Sequence, residues 1–412
     1  MQHTPEQKKL MFRIESNYAA LQSSFWVSNL AYQGFTAVFL AFHGFSDTQI
    51  GLTSSLLSIL SIAFQLIASS FTDSNSHIPI KKIMASIMLM SMFCGALILS
   101  VPLSVFLMTL VFSLGGAFQN TNAALLNAQI MQYINAGIPV NFGWPRGIGS
   151  VVYALFAYVL GLQLEIYSPA ILMPAYCVVI LLSIVIVMLM PNVEDVAKRA
   201  ASVYVQEKYS SRTSYKDMLS NNSVLFLFLI ASVLLYMGMT PSMLFLINVI
   251  ENIGGSGKEL GISMLIQSGV EMPAMFFAPA LLGKVKSRYV LLVCFFAYFV
   301  KMVILSFAGT MSMVYLAMSI SLLCYGLYGV TSAFFANSIV SGGEKVRAQG
   351  LVILASNVGG ILGNVIAGML LDSLGLQFLF YVSCAIEFLA VVVMFMCAKK
   401  EASLEAEKIK QN

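Results

Sequence analysis

Three ionisable residues lie well inside long apolar stretches of the chain: Glu271, Lys301 and Glu387. A charge at the centre of a bilayer costs from about 2.5 kcal/mol upward, so such residues default to solute binding, proton transfer or ion pairing. Glu271 precedes Pro273, which removes a backbone N–H and tends to kink a helix. A carboxyl beside a kink and facing an aqueous cavity suits a solute or a proton, or else it is a neutral acid bonding a neighbouring helix. Lys301 serves either as a direct contact to solute or as the partner of a buried acid. A second group is made of amides. Gln119, Asn120, Asn122, Asn127 and Gln129, with Thr121, crowd about three turns of one apolar stretch. Asn120 and Asn127 stand seven apart and so nearly share a helix face. Amides donate and accept, the complement of a polyhydroxylated solute. Interhelical bonding, worth about 0.6 kcal/mol per residue, is the plainer alternative, but so many amides in one stretch favour a cavity lining.

Arg146 follows Pro145, a residue tolerated in the first turn of a helix. By position alone it is a topology anchor at a span entrance. Tyr153, two turns on, presents a ring and a hydroxyl that suit stacking on a sugar or base, or packing in a core. No nucleophile–base pair, phosphate-binding loop or zinc-protease pattern occurs. His3, His43 and His77 are isolated, and the six cysteines sit in apolar runs without metal-ligand spacing. An enzyme, a resident metal and a cofactor are therefore not expected.

The elements that must position these residues are spans. Of 412 residues, 59% are hydrophobic and 10% charged, against roughly 25% charged in a soluble domain. A span needs about 20 apolar residues, and twelve such stretches read off the chain near 20–42, 48–71, 83–101, 104–133, 146–164, 168–190, 222–249, 259–282, 289–308, 311–341, 348–370 and 375–397. The implied organisation is a six-helix bundle over 1–191, a charged cytoplasmic linker over 192–221, a second bundle over 222–398 and a cytoplasmic tail over 399–412. With a cytoplasmic N-terminus, all of the 22 basic residues except Lys258 and Lys301 fall on inside loops, the linker or the termini. That asymmetry is what twelve spans with both termini in the cytoplasm predict. The net charge of +4 is too small to suggest a nucleic-acid partner. The halves also echo each other: Gln49-Ile-Gly51-Leu-Thr53 opens the second span as Glu259-Leu-Gly261-Ile-Ser263 opens the eighth, and Arg146 with Gly149 matches Arg347 with Gly350. Parallel repeats of this kind are a known transporter architecture, with the solute site near the membrane midplane.

Glu271-Met-Pro-Ala-Met-Phe-Phe-Ala-Pro279 followed by Gly283-Lys-Val-Lys-Ser-Arg288 resembles the eighth span and next loop of the oligosaccharide–proton symporters, the lactose permease branch of the major facilitator superfamily. Ser306-Phe-Ala308, Leu327–Phe334, the stretch from Arg347 to Asp372 and Asn141-Phe-Gly-Trp-Pro-Arg146-Gly-Ile-Gly149 keep the same frame. The resemblance implies an all-α membrane fold of twelve helices in two six-helix pseudo-repeats, working as a monomer. It implies that Arg146 hydrogen-bonds sugar hydroxyls, that Tyr153 stands where a tryptophan stacks on a sugar ring, and that Asn127 and Lys301 replace a carboxylate and an arginine. Asp73 with Lys81 and Lys82 resembles the superfamily's gating loop after span two, here lengthened. The last span is peripheral by resemblance, which makes Glu387 a bonded or lipid-shielded acid. The branch's proton relay is absent, since Ser321 and Cys324 stand where it has a histidine and a glutamate.

The expectation is a secondary transporter of a small polar solute in the cell membrane, surrounded by lipid. A sugar or glycoside is the leading solute, with Asn120, Asn127, Arg146, Tyr153, Glu271 and Lys301 as binding residues and a proton carried on Glu271. Nucleoside uptake and efflux of sugars or drugs are alternatives, and a membrane enzyme or sensor is a distant one.

Overall fold

The computed structural model describes residues 5–75, 77–135, 138, 140–141, 143–193, 218–219, 222–340 and 344–411. The linker's charged stretch over 194–217 lies outside them. Among the described residues every regular element is helical: α1 Pro5–Asn29, α2 Thr36–Phe42, α3 Asp47–Ser74, α4 Ile80–Ser100, α5 Val105–Asn135, α6 Gly143–Tyr167, α7 Leu172–Leu189, α8 Ser223–Met239, α9 Pro241–Leu244, α10 Leu246–Asn252, α11 Gly257–Leu282, α12 Ser287–Ser306, α13 Met311–Ser319, α14 Tyr325–Ser338 and α15 Lys345–Gln411. Helix is the only open-chain solution in lipid, because each backbone polar group is satisfied within its own segment.

Among the described residues, nine helices rather than twelve are long and apolar enough to cross a membrane. The interrupted α1–α2 pair and α5, whose amides lower its hydropathy, are not among the nine. One of the nine, Arg347–Glu407, runs for 61 residues, about three times the 20 a bilayer requires. It is broken at Gly375, where φ is 81°, a conformation glycine adopts without a Cβ penalty.

The chain divides into two compact units, residues 1–45 with 56–207, and residues 46–55 with 208–412. In the first, Tyr32 stacks on Phe112 at 4.7 Å and donates to its carbonyl at 2.8 Å. In the second, Phe228, Leu235, Phe295, Tyr328 and Phe335 form a continuous buried core. The first turns of α3 belong to that second unit. The Asp372 carboxylate accepts from the N–H groups of Asp47 at 3.1 Å and Thr48 at 2.7 Å, where an acid satisfies orphan donors and the positive end of the helix dipole. Ser55 Oγ donates to the Ile361 carbonyl at 2.9 Å, and a Cβ on Gly51 would collide with the Asn364 carbonyl.

The repeat read from sequence recurs in backbone detail. Between α1 and α2 a π-helical turn, Leu30–Gly34, ends at Phe35, with φ −114° and ψ 29°. Between α9 and α10 the chain breaks at the corresponding Phe245, with φ −108° and ψ 21°. Each break is followed by a seven-residue helix and then by a left-handed glycine, Gly44 at 81° and Gly254 at 82°.

Two boundaries differ from the sequence reading. Asp73 lies in the last turn of α3, not in a loop, and Lys81 and Lys82 lie in the first turn of α4, entered from the extended Pro79. The gating segment is therefore shorter than expected. The stretch 399–411 continues the helix α15. It is tied to the start of α12, where Lys286 Nζ pairs with Glu405 at 2.7 Å and Arg288 pairs with Glu401 and Glu405.

Candidate functional site

In the first unit the amides of α5 divide into two kinds. Asn120 is closed into a network: its Oδ1 accepts from Gln33 Nε2 at 2.9 Å and Asn29 Nδ2 at 3.5 Å, and its Nδ2 donates to Gln33 Oε1 at 3.2 Å and Ser61 Oγ at 3.1 Å. Gln119 is half closed, its Nε2 donating to Ser28 Oγ at 2.7 Å while its Oε1 is buried with no partner. The oxygens of Asn122, Asn127 and Gln129 are likewise buried and unpartnered. Asn127 thus shares a helix with Asn120 but not its network.

Arg146 and Tyr153 both belong to α6. Glu15 of α1 accepts from the Asn141 N–H at 2.7 Å and from Trp144 Nε1 at 3.0 Å, fixing the entrance of α6. Tyr18 belongs to a polar ladder on α1: Gln22 Nε2 donates to its hydroxyl at 2.6 Å, and Trp26 Nε1 donates to Gln22 Oε1 at 2.9 Å. Gly149 packs against Gln22, a Cβ there falling 3.1 Å from that side chain. One turn beyond the ladder lies the π-helical break, where the Tyr153 hydroxyl sits 3.8 Å from the place a Gly34 Cβ would take. A π-turn inside a helix often marks a functional site.

The ladder and its continuation, Tyr18, Gln22, Trp26, Asn29 and Gln33, were not singled out from sequence. Their signal was there: they recur at spacings of three or four, one face of a helix, in a stretch whose other residues are apolar or serine.

In the second unit, Lys301 of α12 is buried and its Nζ donates to Ser321 Oγ at 3.0 Å. Ser321 lies in a short 3-10 turn, Ile320–Leu322, that interrupts the helix between α13 and α14, and the backbone stays irregular through Cys324. Glu271 of α11 faces this break. Its own backbone fills the space a Cβ on Gly326 would take, and its Oε1 is buried without a hydrogen-bond partner. Of the two arms expected for Glu387, the structure meets one: its side chain is 0% exposed and so shielded from lipid, but neither carboxylate oxygen has a hydrogen-bond partner, and Gly238 of α8 lies against it.

The gating residues separate. Lys81 Nζ donates to the Met190 carbonyl at 2.7 Å, closing the C-terminal end of α7. Lys82 borders an apolar groove of about 400 Å³ that is lined by Phe64, Phe71 and Phe118 and by none of the solute candidates. The Asp73 side chain lies outside the described residues. No group of three or more metal-ligating side chains occurs among the described residues.

Glu271 and Lys301 each stand at the break between α13 and α14, Glu387 is enclosed beside Gly238 of α8, and Asn120 and Tyr153 lie against the first helix and its π-helical end. Partly buried amides, an arginine at the entrance of α6 and interrupted helices are chemistry for binding a polar solute.

Comparison with known proteins agrees in fold. The nucleoside transporter NupG superposes with a TM-score of 0.76 at 15% identity, covering 94% of this chain and 98% of that one. A bacterial homologue of the iron transporter ferroportin gives 0.68 at 15% identity over 94% and 99%. A bacterial homologue of the lysosomal transporter Spinster gives 0.65 at 14% identity over 97% and 98%. Comparison with curated protein sequences finds no match. The model of the MFS_1 like family matches residues 27–382. With most of the chain inside that match and nine apolar helices to span a bilayer, this protein belongs to the MFS_1 like family and is a multi-pass plasma-membrane transporter of major facilitator fold, not an enzyme.

Proposed function

We propose that this chain is a secondary active transporter of a nucleoside-like solute, working as a monomer by alternating access and coupled to protons. Asn120, Asn127, Arg146 and Tyr153 bind the solute, Glu271 and Lys301 contact it, and Glu271 carries the proton. The arrangement is twelve spans in two six-helix bundles with cytoplasmic termini. Its support is the helix inventory: nine long apolar helices, one of them divisible at Gly375, together with the amide-rich α5 and the interrupted α1–α2 pair. The segment of Asp73, Lys81 and Lys82 gates the cytoplasmic side.

The observation that carries this reading is a set of amide oxygens, those of Asn122, Asn127 and Gln129, buried and unpartnered in α5. A buried polar atom without a partner costs about 1–3 kcal/mol, a cost repaid when a solute supplies the missing donor. A nucleoside offers amide or amine donors, ribose hydroxyls and a flat ring for Tyr153. The likeness to the nucleoside transporter NupG favours it over a sugar. A glycoside is the second reading, favoured by the oligosaccharide-symporter resemblance around Arg146 and Glu271. Purified protein in liposomes, given labelled nucleosides and sugars with and without an inward pH gradient, tests this directly. Gradient-dependent accumulation of a nucleoside is expected. Accumulation of sugars alone would overturn the solute class, and insensitivity to pH would overturn the coupling.

A further inference from the structure

The apolar groove between α3, α4 and α5 contains none of the solute candidates, and its lining is suited to a different ligand. On α3 its wall is Phe64, Ile67, Ala68 and Phe71, spaced by three and four and so on one helix face. On α4 the same holds of Lys82, Ser86 and Met90, with Ile83 and Ile87 beside them. Phe64 stacks on Phe118 of α5 at 4.8 Å with the ring planes 8° apart, a flat apolar surface inside the groove. The rim opens toward lipid, since Ile67 and Met90 are more than half exposed on membrane-spanning helices. Protein packing leaves this part of α3 loosely covered. Among its described residues from 56 to 74, only Leu57 and Ala68 are buried.

The hydroxyls of the lining are already engaged. Ser86 Oγ donates to the Lys82 carbonyl at 3.0 Å and Thr121 Oγ1 to the Ala117 carbonyl at 2.8 Å, each within its own helix. The groove has no amide and no carboxylate in its lining, so a polyhydroxylated solute finds few partners there. Its one charge is the Lys82 ammonium. Lys82 is exposed in the first turn of α4 and takes part in none of the ion pairs among the described residues, whereas Lys81 is held by the Met190 carbonyl. An apolar trough with one cation at its mouth is complementary to an amphiphile with a hydrocarbon chain and an anionic head. The length fits as well. Lys82 to Met90 is a rise of eight residues, about 12 Å, against roughly 15 Å of hydrocarbon in one leaflet of a bilayer core of about 30 Å. In the proposed arrangement this end of α4 is cytoplasmic, the side on which the leaflet carries anionic lipid.

We propose that the groove holds one anionic phospholipid, with an acyl chain between α3 and α4 over the Phe64–Phe118 pair and the phosphate paired with Lys82. The lipid fastens the loosely covered part of α3 to α4, whichever solute is carried. Phosphatidylglycerol with a photoreactive diazirine in one acyl chain, added to the full-length protein in detergent, tests this. Irradiation should label peptides that carry Phe64–Phe71 and Ile83–Met90. Unlabelled phosphatidylglycerol should compete about fivefold better than phosphatidylcholine of the same chains, the effect of one Lys beside an anionic headgroup. Lys82→Gln should bring the two competitors level, while Lys82→Arg keeps the preference. Ser86→Phe, which fills the groove with a ring, should abolish labelling of these peptides. Should that variant not fold, the two Lys82 variants decide alone. Equal competition by the two lipids in the wild type, or a preference that survives Lys82→Gln, would overturn the proposal. So would displacement by a nucleoside, which would make the groove a solute site, or by glycerol 3-phosphate, which has the phosphate without the chains.

Discussion

The polar interior of the first unit and that of the second solve the same problem in opposite ways. Asn120 answers burial by pairing, with Gln33 bonded to it in both directions and Asn29 and Ser61 completing the set. Glu271, Lys301 and Glu387 answer it with charge, and three of the four carboxylate oxygens are buried without partners. A satisfied amide network rigidifies and specifies a position. An unsatisfied charged group is held at a cost and is poised to change state. The contrast supports the proposed reading, in which the first region recognises solute and the second couples it to protons.

The largest expected effect breaks the second region. Lys301→Met removes a buried cation and leaves the Ser321 hydroxyl without its donor, at a cost of about 1–3 kcal/mol. Folded yield should fall, as size-exclusion of the detergent-solubilised protein would show. Next is Glu271→Gln, which should abolish accumulation against a gradient while counterflow exchange of solute persists. A mutant that still concentrates solute with undiminished pH dependence would remove Glu271 from the coupling.

Two alanine variants sharpen the contrast inside α5. Asn120→Ala strands the Gln33 amide and should lower stability by about 1–3 kcal/mol. Asn127→Ala strands nothing, so stability should stay within about 0.5 kcal/mol, while solute affinity falls about tenfold, equivalent to about 1.4 kcal/mol. Equal stability losses in the two would erase the distinction. The smallest effect belongs to the cytoplasmic end. Lys286→Ala removes an exposed ion pair with Glu405 and should lower the melting temperature only slightly, with the difference vanishing in high salt.

Spans were legible because apolar length is a composition signal, and the repeat was legible because Gly51 and Gly261 stand at matching places. The three intramembrane charges were visible for the same reason. Depth along a helix can be read from a single sequence, but the direction a side chain faces is set by its neighbours. Glu387 shows this: its enclosure depends on Gly238 in α8, and no local feature around residue 387 announces it. The amides show it again. Asn120 and Asn127 share a face, yet only one is networked, because Asn29, Gln33 and Ser61 come from other helices. Span ends were the least legible, as at Asp73, which the helix overruns.

The claim that recognition and charge coupling operate together is tested most directly by proton flux. Proteoliposomes in weak buffer, with a pH-sensitive dye outside, should show external alkalinisation when a transported nucleoside is added, as protons enter with the solute. The signal should be lost in Glu271→Gln. Solute uptake in the wild type with no accompanying pH change would contradict it.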